Sequence, residues 1–287
     1  MKIGCLGAGA WGFTIATMLA DAGHDVICWE YNQAVCDALA AGKPHPKLGV
    51  AKHARIKMTN SLSEAVEGVS LIVESVTSQG VRPVFEKLGK PTVPVAMTSK
   101  GIEADTGLLL TEVAASIVGK EMIGCVSGPT IAVEVLQKQP TSAVCSAYDP
   151  SLIPTILEGF SASYFRLYPN ADMVGVSFGG AMKNIIAIAC GISDGLGYGD
   201  NTKASIMTRG LHEIRKLAVC KGCDPETLNG LSGMGDLCVT CLSVNSRNYT
   251  FGRKLASGLS PDEARAEIGM VVEGAFTCKA ALQLAGN

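Results

Sequence analysis

Lys183 is the sole charged residue in an apolar stretch that runs from Val174 to Ile192, and an ammonium group placed there could transfer protons. A lysine in such a helix must find a partner, lose its proton or reach water with its flexible stem. Burial lowers the pKa of a lysine by up to about 3–5 units, which makes it a proton donor and acceptor near neutral pH. Lys183 is therefore our candidate general acid and base, and a structural lysine that reaches solvent is the alternative.

Two later segments supply polar groups that such a lysine could use. Asp236 lies in a glycine-rich turn at residues 233–237, where its carboxylate is a candidate to orient or pair with Lys183. The sequence Ser246-Arg247-Asn248 places a planar guanidinium between two hydrogen-bonding side chains, the composition of a phosphate or carboxylate clamp. Neither segment is specific by itself.

A glycine fingerprint, Gly7-Ala8-Gly9-Ala10-Trp11-Gly12, follows a predicted strand and opens a predicted helix. In this pattern Gly7 allows the turn, Gly9 lets a pyrophosphate approach the backbone, and Gly12 allows the helix to pack on the strand. Glu30 follows Gly12 by 18 residues, where a carboxylate contacts the ribose hydroxyls of a dinucleotide. Such a carboxylate repels a 2′-phosphate, so NAD is the expected cofactor and NADP the alternative. A tight turn beside a solvated glutamate is the structural alternative.

Two further polar segments follow predicted strands. Thr98-Ser99-Lys100-Gly101 comes directly after one strand, and Ser127-Gly128-Pro129-Thr130 comes after the next. Doubly wound sheets bind ligands at the carboxyl ends of their strands. Pro129 predicts a helix start whose amides bind an anion. Position alone leaves Lys100 equally well explained as a surface lysine.

The elements that must position these residues change in character near Asn170. Before that point short β-rich runs alternate with helical stretches, which predicts βαβ units and a mainly parallel sheet. Afterwards the strand signals stop and helices follow. The expected fold is an α/β Rossmann-type dinucleotide-binding domain at 1–170, followed by an all-α substrate and catalytic domain at 171–287. The predicted strands are Lys2–Leu6, Asp25–Trp29, Val69–Val76, Val93–Thr98, Met122–Val126, Ser142–Ser146 and Phe165–Tyr168. The predicted helices are Trp11–Ala22, Leu62–Glu67, Leu108–Val118, Val174–Ile192, Lys203–Val219, Pro225–Leu231, a stretch after Arg247, and Pro261–Ile268.

Composition excludes several classes of protein. With 287 residues, 47% hydrophobic and 17% charged, the chain is not disordered by polarity or charge. Its net charge of −2 and the lack of a Lys/Arg-rich run argue against a broad nucleic-acid surface. Eleven scattered cysteines fit a reducing, cytoplasmic compartment. A membrane span at 174–192 is disfavoured, because a central lysine costs roughly 2.5–3.5 kcal/mol on insertion scales.

Four cysteines imitate a zinc ribbon. Cys220-x-x-Cys223 and Cys238-x-x-Cys241 are separated by 14 residues, close to the spacing of such sites. However, the first pair straddles a predicted helix end at Gly222, and the second lies in the glycine–aspartate segment. We therefore expect the thiols to pack as small apolar groups and expect no metal. The four histidines, at positions 24, 45, 53 and 212, show no ligand spacing.

Taken together, these segments resemble the NAD(P)-dependent glycerol-3-phosphate dehydrogenase family from residue 1 to about residue 280. The resemblance rests on a series of motifs in the family's order. They are G-A-G-A-W-G at 7–12, S-K-G-I-E at 99–103, S-G-P-T-I-A-x-E at 127–134, G-G-A-M-K-N-I-I-A-I at 179–188, T-R-G-L-x-E at 208–213, G-x-G-D-L-x-x-T-C at 233–241, S-R-N at 246–248 and V-V-E-G at 271–274.

The resemblance implies reversible hydride transfer between NAD(P)H and dihydroxyacetone phosphate, which yields sn-glycerol 3-phosphate for glycerophospholipid synthesis. Alternatives are another hydroxyacid dehydrogenase on this architecture and a non-catalytic dinucleotide-binding protein. The implied catalytic residues are Lys183, Asp236 and Lys100. The implied substrate-binding residues are Lys100, Gly128, Thr130, Lys183, Asp236, Thr240, Ser246, Arg247 and Asn248. The cofactor-binding residues, including the fingerprint, are Gly7, Gly9, Ala10, Trp11, Gly12, Glu30, Tyr31, Lys100, Ala132, Arg247, Val271 and Glu273.

Three departures from the family pattern carry expectations of their own. Ala10 stands where many members have serine, so a side-chain contact to the cofactor phosphate is expected to be absent. Tyr31 stands where a basic residue or histidine is common, which disfavours NADP further. The family usually continues with more helix than this chain has before Asn287, so part of the helical domain or dimer surface is expected to be missing. A cytoplasmic homodimer without a membrane span is the expected form.

Overall fold

The computed structural model describes residues 1–285. Eight strands form one sheet, and their bounds are β1 (Lys2–Leu6), β2 (Asp25–Trp29), β3 (Ile56–Thr59), β4 (Leu71–Glu74), β5 (Val95–Met97), β6 (Ile123–Ser127), β7 (Thr141–Ala147) and β8 (Phe165–Pro169). The first helices are α1 (Ala10–Asp21), α2 (Gln33–Ala40), α3 (Leu62–Val66), α4 (Val81–Leu88), α5 (Leu110–Val118), α6 (Ala132–Leu136) and α7 (Ile153–Gly159). The later ones are α8 (Met173–Gly195), α9 (Asp200–Cys220), α10 (Asp236–Leu242), α11 (Arg247–Ala256), α12 (Pro261–Ile268) and α13 (Glu273–Ala285).

The strands follow the order β3-β2-β1-β4-β5-β6-β7-β8, which is the doubly wound arrangement with its switch point between β1 and β4. The pairs β1–β2, β1–β4, β2–β3, β4–β5, β5–β6 and β7–β8 run parallel. Leu6 lies in register with Trp29 on one side and Glu74 on the other. The carboxyl ends of three adjacent strands therefore meet at one edge of the sheet. The predicted Rossmann-type fold followed by helices is confirmed.

The chain divides into two compact units. The first contains the sheet and is built from Met1–Ser99, Thr111–Val126 and Thr130–Ala171. The second contains the chain from Asp172 onward, together with Lys100–Leu110 and Ser127–Pro129. Two short segments between strands thus belong to the helical unit. These are the segments in which the sequence placed Lys100 and Gly128.

Helix α8 forms the centre of the second unit, and small residues let α11 cross it closely. A Cβ added to Gly191 would lie 2.0 Å from the Tyr249 carbonyl oxygen, and one added to Gly252 would lie 2.1 Å from the Ile188 carbonyl oxygen. Either methyl group would force the two backbones apart. The fingerprint glycines are therefore not the only ones with a packing role.

Helix α8 is also, among the described residues, the one long and apolar enough to cross a membrane by length and composition. Its most apolar window has a mean hydropathy of 1.5, and 72% of that window is buried inside the protein. A helix that is apolar on every side and buried is typical of a domain core.

Two predicted helix starts are wrong. The helix predicted at Pro225–Leu231 is replaced by a 3-10 turn at Thr227–Asn229 and a π-helical turn at Leu231–Gly235. The Asp224 carboxylate accepts the Glu226 N–H, and the nearby glycines favour turns over a helix. Pro129 does not open a helix either, because α6 begins at Ala132 with Ile131 as its N-cap. By contrast, the predicted cap at Ser260 forms a complete capping box with Glu263.

The sequence also left short elements unpredicted. Strand β3 has four residues, and α6 has five. Periodicity over so few positions does not separate a strand or helix from a loop. Helices α2, α4, α7, α10 and α13 were likewise not predicted.

Candidate active site

Lys183 lies on α8 with its ammonium group buried and bound to a carboxylate. It donates hydrogen bonds to Asp236 Oδ1 and, at 2.8 Å, to Thr240 Oγ1. Thr240 in turn donates to the Asp236 carbonyl oxygen at 2.6 Å. The side chain of Asp236 is 1% exposed and that of Lys183 10%. Two of the three N–H donors of the ammonium are thus used by described residues, which leaves one for a substrate oxygen.

Lys100 binds the other oxygen of the same carboxylate. Its Nζ lies 2.6 Å from Asp236 Oδ2 and 3.0 Å from the Gly128 carbonyl oxygen. Two lysines therefore share one aspartate, and this group of three side chains carries a net positive charge. The two bound cations compensate the buried carboxylate on both of its oxygens. The positive charge that remains favours the binding of an anionic ligand.

The pKa of Lys183 is lowered to about 8, chiefly because burial penalises the charged form. The negative charge of Asp236 opposes that shift, and the positive charge of Lys100 adds to it. An amine with a pKa near 8 gives up and recovers a proton readily at neutral pH. An amine held in this way can act chemically as a general acid and base.

Close backbone contacts at glycines allow this arrangement. A Cβ added to Gly180 would lie 2.6 Å from Ser127 Oγ and 3.3 Å from the Lys100 side chain. A Cβ on Gly233 would lie 2.1 Å from the Leu228 carbonyl oxygen, so the π-helical turn that leads into Asp236 requires glycine there. The glycine-rich sequence around Asp236 is therefore a packing requirement of the turn.

Arg247 begins α11, and Ser246 is the N-cap of that helix. The Arg247 guanidinium donates to the Val271 carbonyl oxygen at 3.0 Å and lies 4.0 Å from Glu273 Oε1. Ser246 Oγ accepts the Tyr249 N–H at 3.3 Å and thereby caps the helix. Arg247 stays 40% exposed at its side chain, so it can also bind a ligand.

Asn248 and Asn184 form a buried amide pair that the sequence did not predict. Asn248 Nδ2 donates to Asn184 Oδ1 at 2.9 Å, and Asn248 Oδ1 accepts the Gly274 N–H at 2.9 Å. Asn184 Nδ2 is buried with no hydrogen-bond partner among the described residues. Its position directly after Lys183 was the one signal in the sequence. An unsatisfied buried amide beside the lysine is a ready donor for a ligand.

The glycine fingerprint in the first unit fits a dinucleotide pyrophosphate. Gly7 has φ +101°, and a Cβ on Gly12 would lie 1.9 Å from the Gly7 carbonyl oxygen. A Cβ on Gly9 would meet nothing within 4 Å, so the backbone there is open to a ligand. Gly9 is the N-cap of α1, and within the described structure it provides no side-chain cap for the first N–H groups. The arrangement fits an anion site of the kind found at helix N-termini.

Glu30 and Tyr31 follow β2 at the same edge of the sheet. Glu30 Oε1 accepts the Asn32 N–H at 2.9 Å, and Tyr31 is 81% exposed. Trp11 is half-buried against the core of the sheet, and Ala10 is the first residue of α1. Thr130 lies in the first unit just before α6, and Ala132 begins that helix.

His45 is a further residue that sequence reasoning missed. The residue is 3% exposed, its Nε2 lies 3.0 Å from the Ala8 carbonyl oxygen, and its Nδ1 accepts the Lys47 N–H at 3.2 Å. Since Nδ1 must accept, Nε2 carries the proton and donates it to Ala8. Burial lowers the pKa of His45, which favours this neutral form. The ring thereby fixes the middle of the glycine turn.

All eleven cysteines carry thiols, and those of the zinc-like pattern differ in burial. Cys223 and Cys241 pack in the core of the helical unit, whereas Cys220 is exposed. Across residues 1–285 no group of three or more His, Cys, Asp or Glu side chains is arranged to hold a metal ion.

A doubly wound sheet with a phosphate-binding glycine turn, together with a buried lysine on an apolar helix, defines the class of dinucleotide-dependent dehydrogenases. Two sequence profiles match the chain: the N-terminus of NAD-dependent glycerol-3-phosphate dehydrogenase over residues 2–153, and the C-terminus over residues 172–287. The chain belongs to this family, as its motifs implied.

Individual relatives agree with the profiles. The chain is 54% identical to glycerol-3-phosphate dehydrogenase [NAD(P)+] of Protochlamydia amoebophila over 290 residues, which is 99% of this chain and 87% of the relative. It is 51% identical to the Chlamydia muridarum enzyme with the same coverage. The crystal structure of glycerol-3-phosphate dehydrogenase from Coxiella burnetii superposes with a TM-score of 0.93 at 35% identity, covering 99% of this chain and 89% of the other.

Proposed function

We propose that the protein catalyses reversible hydride transfer between NAD(P)H and dihydroxyacetone phosphate, with sn-glycerol 3-phosphate as the product. The observation that carries this proposal is the buried Lys183 ammonium, which shares Asp236 with Lys100 and keeps one donor for a substrate. Family membership and the names of the relatives support the choice of substrate.

Lys183 acts on the oxygen of the reacting carbon. During reduction, negative charge develops on the carbonyl oxygen, and the Lys183 ammonium stabilises that charge and transfers a proton from Nζ to the oxygen. In the reverse direction the neutral amine accepts the hydroxyl proton. Asp236 and Thr240 each accept a hydrogen bond from Lys183 Nζ. These two contacts hold Nζ in place during both the reduction and the reverse oxidation.

Positively charged side chains and hydrogen-bond donors hold the phosphate ester. We assign this role to Lys100 and Arg247, with the backbone at Gly128 and the side chains of Thr130, Ser246 and Asn248 as further contacts. Binding energy from the phosphate, which does not react, positions the reacting carbon. An unphosphorylated triose should therefore be a poor substrate.

The nicotinamide cofactor supplies the hydride when it is bound. The residues of the first unit fit its pyrophosphate at the turn from Gly7 to Gly12 and its ribose at Glu30. Ala10, Trp11, Tyr31 and Ala132 are assigned to the same cofactor, as are Val271 and Glu273 of the second unit. Glu30 and the uncharged Tyr31 favour NAD over NADP. We assign the dinucleotide-binding domain to 1–170 and the helical domain to 171–287.

The proposal is tested by measuring oxidation of NADH and NADPH with dihydroxyacetone phosphate for the wild type and Lys183→Met. Loss of a general acid should lower kcat by on the order of 10²–10⁴-fold while NADH binding persists. The control is Lys203→Met, which removes a lysine of another ion pair, with Asp194, whose two side chains are 16% and 15% exposed and lie outside the site. Near-normal turnover of Lys183→Met would remove this residue from the chemistry.

The same assay separates the rival functions. A wild type that binds NADH but turns over no triose phosphate would be a non-catalytic dinucleotide-binding protein. Turnover with an unphosphorylated hydroxyacid instead would identify a different dehydrogenase on the same architecture.

Cellular role and assembly are also proposals. The product is the backbone of glycerophospholipids, so we assign the enzyme to lipid synthesis. Eleven thiols support a reducing cytoplasm. Exposed apolar side chains on the helical unit, including Leu242 and Val244, support a homodimer, which analytical ultracentrifugation would test.

A further inference from the structure

Glu74 is a buried acid to which neither the fingerprint nor the proposed chemistry gives a role. It is the last residue of β4, its relative exposure is 0%, and it lies in register with Leu6 and Met97. The backbone of Glu74 accepts hydrogen bonds from the Thr98 N–H and the Thr98 hydroxyl at 2.9 and 2.8 Å. Its side chain reaches Ser99, the residue that immediately precedes Lys100.

The hydrogen bonds of the Ser99 hydroxyl bear on the protonation state of the Glu74 carboxyl group. Ser99 Oγ lies 2.6 Å from Glu74 Oε1 and 2.6 Å from the Val76 carbonyl oxygen. A serine hydroxyl has one proton, so it can donate to one of these two oxygens. The carbonyl of Val76 has no proton to give. The Ser99 hydroxyl proton cannot fully satisfy both contacts, whereas a proton on Glu74 Oε1 satisfies the first and leaves the hydroxyl proton for the Val76 carbonyl oxygen.

The other contacts of the carboxyl group agree with a neutral acid. Oε1 also accepts the Val76 N–H at 2.7 Å, which a protonated oxygen can still do. Oε2 is buried and has no hydrogen-bond partner among the described residues. A carboxylate charge left in that position would be far more costly than the carbonyl oxygen of a carboxylic acid.

From this geometry we infer that Glu74 is a neutral carboxylic acid that donates its proton to Ser99 and so positions the turn between β5 and Lys100. It is a positioning residue, because it acts through Ser99 and not on the substrate. Its effect on substrate affinity rests on the proposed function of Lys100, whereas its protonation does not.

No charged group compensates Glu74 from the elements packed against β4. In β1 the ionisable residues are Lys2, at the opposite end of the strand, and Cys5, whose thiol has its pKa raised to about 12 by burial. The α7 helix offers Glu158, which is exposed, and β5 has no ionisable residue. Burial raises the pKa of Glu74 to about 7, although its charged form would receive hydrogen bonds from Ser99, Val76 and Thr98 that lower the pKa.

Infrared difference spectroscopy of the full-length wild type against Glu74→Gln tests the proton directly. At pH 6 we expect a protonated carboxyl band that disappears in Glu74→Gln, shifts in Ser99→Ala, and fades as the pH rises through about 7. Glu86→Gln removes an exposed glutamate of α4 and should leave the band unchanged. Absence of the band from the wild type overturns the inference, even if Glu74→Gln does not fold.

Denaturant unfolding gives a second readout of the same proton. The pKa of Glu74 is higher in the folded protein than the ordinary 4.5, so the folded state binds more protons between these values. Its free energy of unfolding therefore falls through this group as the pH rises from about 4.5 to 7. Glu74→Gln should lack that fall, and a parallel pH dependence in the two proteins would contradict it.

Steady-state kinetics test the positioning. Glu74→Ala and Ser99→Ala should each raise KM for dihydroxyacetone phosphate several-fold and KM for NADH less, and the double variant should be no worse than either single one. Glu74→Gln should recover most of the loss seen with alanine. Additive effects, or an unchanged KM for the triose phosphate, would exclude the role while leaving the infrared result standing. A wild type without turnover would refute the proposed function and not the protonation of Glu74.

Discussion

Asp236 is the residue on which the charge balance of the site depends. It accepts from Lys183 on one oxygen and from Lys100 on the other, and its side chain is 1% exposed. Without it, two ammonium groups would remain close together in a buried place with no carboxylate bound to either of them. The consequences for stability and for the proton chemistry can be measured separately.

We predict that Asp236→Asn lowers the free energy of unfolding by about 3–5 kcal/mol, the usual cost of removing one member of a buried ion pair. It should also move the pH profile of triose phosphate reduction. The protonated Lys183 is the acid, so wild-type reduction falls as the pH rises through about 8. Because Asp236 raises the pKa of Lys183, its loss should shift that fall to lower pH.

The control for this variant is Asp262→Asn, which breaks an exposed pair with Arg265 whose aspartate is 91% exposed. Its effect should be within about 1 kcal/mol. A pH midpoint that stays near 8 in Asp236→Asn would mean that another group sets the profile.

His45→Ala should weaken NADH binding about 2- to 10-fold, since a single hydrogen bond contributes roughly 0.5–1.5 kcal/mol. The loss arises because the Ala8 carbonyl no longer has the ring that fixes the glycine turn. His53→Ala is a matched control: its Nδ1 also accepts an N–H two residues later, from Arg55. Isothermal titration with NADH compares them, and equal affinities would deny His45 this role.

The sequence predicted which residue types belong to the site better than it predicted which of them are in contact. Lys183, Asp236 and Arg247 stood out because a charge in an apolar helix, or in a glycine-rich turn, needs an explanation. Lys100 and Asp236 are separated by 136 residues, and no local pattern indicates that they touch. His45 gave no usable signal, since its role depends on the carbonyl oxygen of Ala8, and Asn184 gave only its position directly after Lys183.

At the scale of elements, the turn between β1 and α1 depends on three glycines for different reasons. Gly12 packs against the Gly7 carbonyl oxygen, where a Cβ would lie at 1.9 Å, whereas Gly9 faces open space. The same substitution should therefore have different effects at the two positions.

Gly9→Ala should fold with a near-normal Tm and lose NADH affinity, because its methyl group fills the approach of the pyrophosphate. Gly12→Ala should lower both the Tm and the affinity for NADH, because helix α1 must move away from the turn. Thermal denaturation and NADH titration of the two variants provide the comparison. A Gly9→Ala protein that binds NADH normally would place the pyrophosphate elsewhere.

The two longest helices were predictable, whereas the turn that leads into Asp236 was not. Helices α8 and α9 have 23 and 21 residues and were expected almost at their full length. The π-helical turn before Asp236 was not, because it forms through contacts of Gly233 with the Leu228 backbone and not through periodicity. Local pattern therefore predicts the scaffold, and packing against distant backbone decides the turns that present the chemistry.

At the scale of the whole molecule, the cofactor fingerprint and the lysine pair belong to different compact units, each with its own hydrophobic core. Damage to the core of one unit should therefore affect one function first. Gly252, on α11, is a suitable position for a substitution that disrupts the packing of the second unit, because a Cβ there would lie 2.1 Å from the Ile188 carbonyl oxygen.

We predict that Gly252→Ala lowers turnover far more than NADH affinity, because most of the residues assigned to the cofactor lie in the first unit. Calorimetry should show an earlier unfolding transition that NADH does not protect. Gly258→Ala, whose Cβ would meet nothing within 4 Å, controls for a methyl group in the same unit, although its φ of +95° adds local strain. Loss of NADH affinity in Gly252→Ala equal to the loss of turnover would contradict this division of labour.

The sharing of one carboxylate by two ammonium groups links ligand uptake to hydrogen-ion uptake. An anion that settles beside Lys100 raises the proton affinity of Lys183, and by reciprocity a protonated Lys183 holds that anion more tightly. Triose phosphate would then prime its own reduction as it enters, and calorimetric heats of binding would vary with the ionisation enthalpy of the buffer.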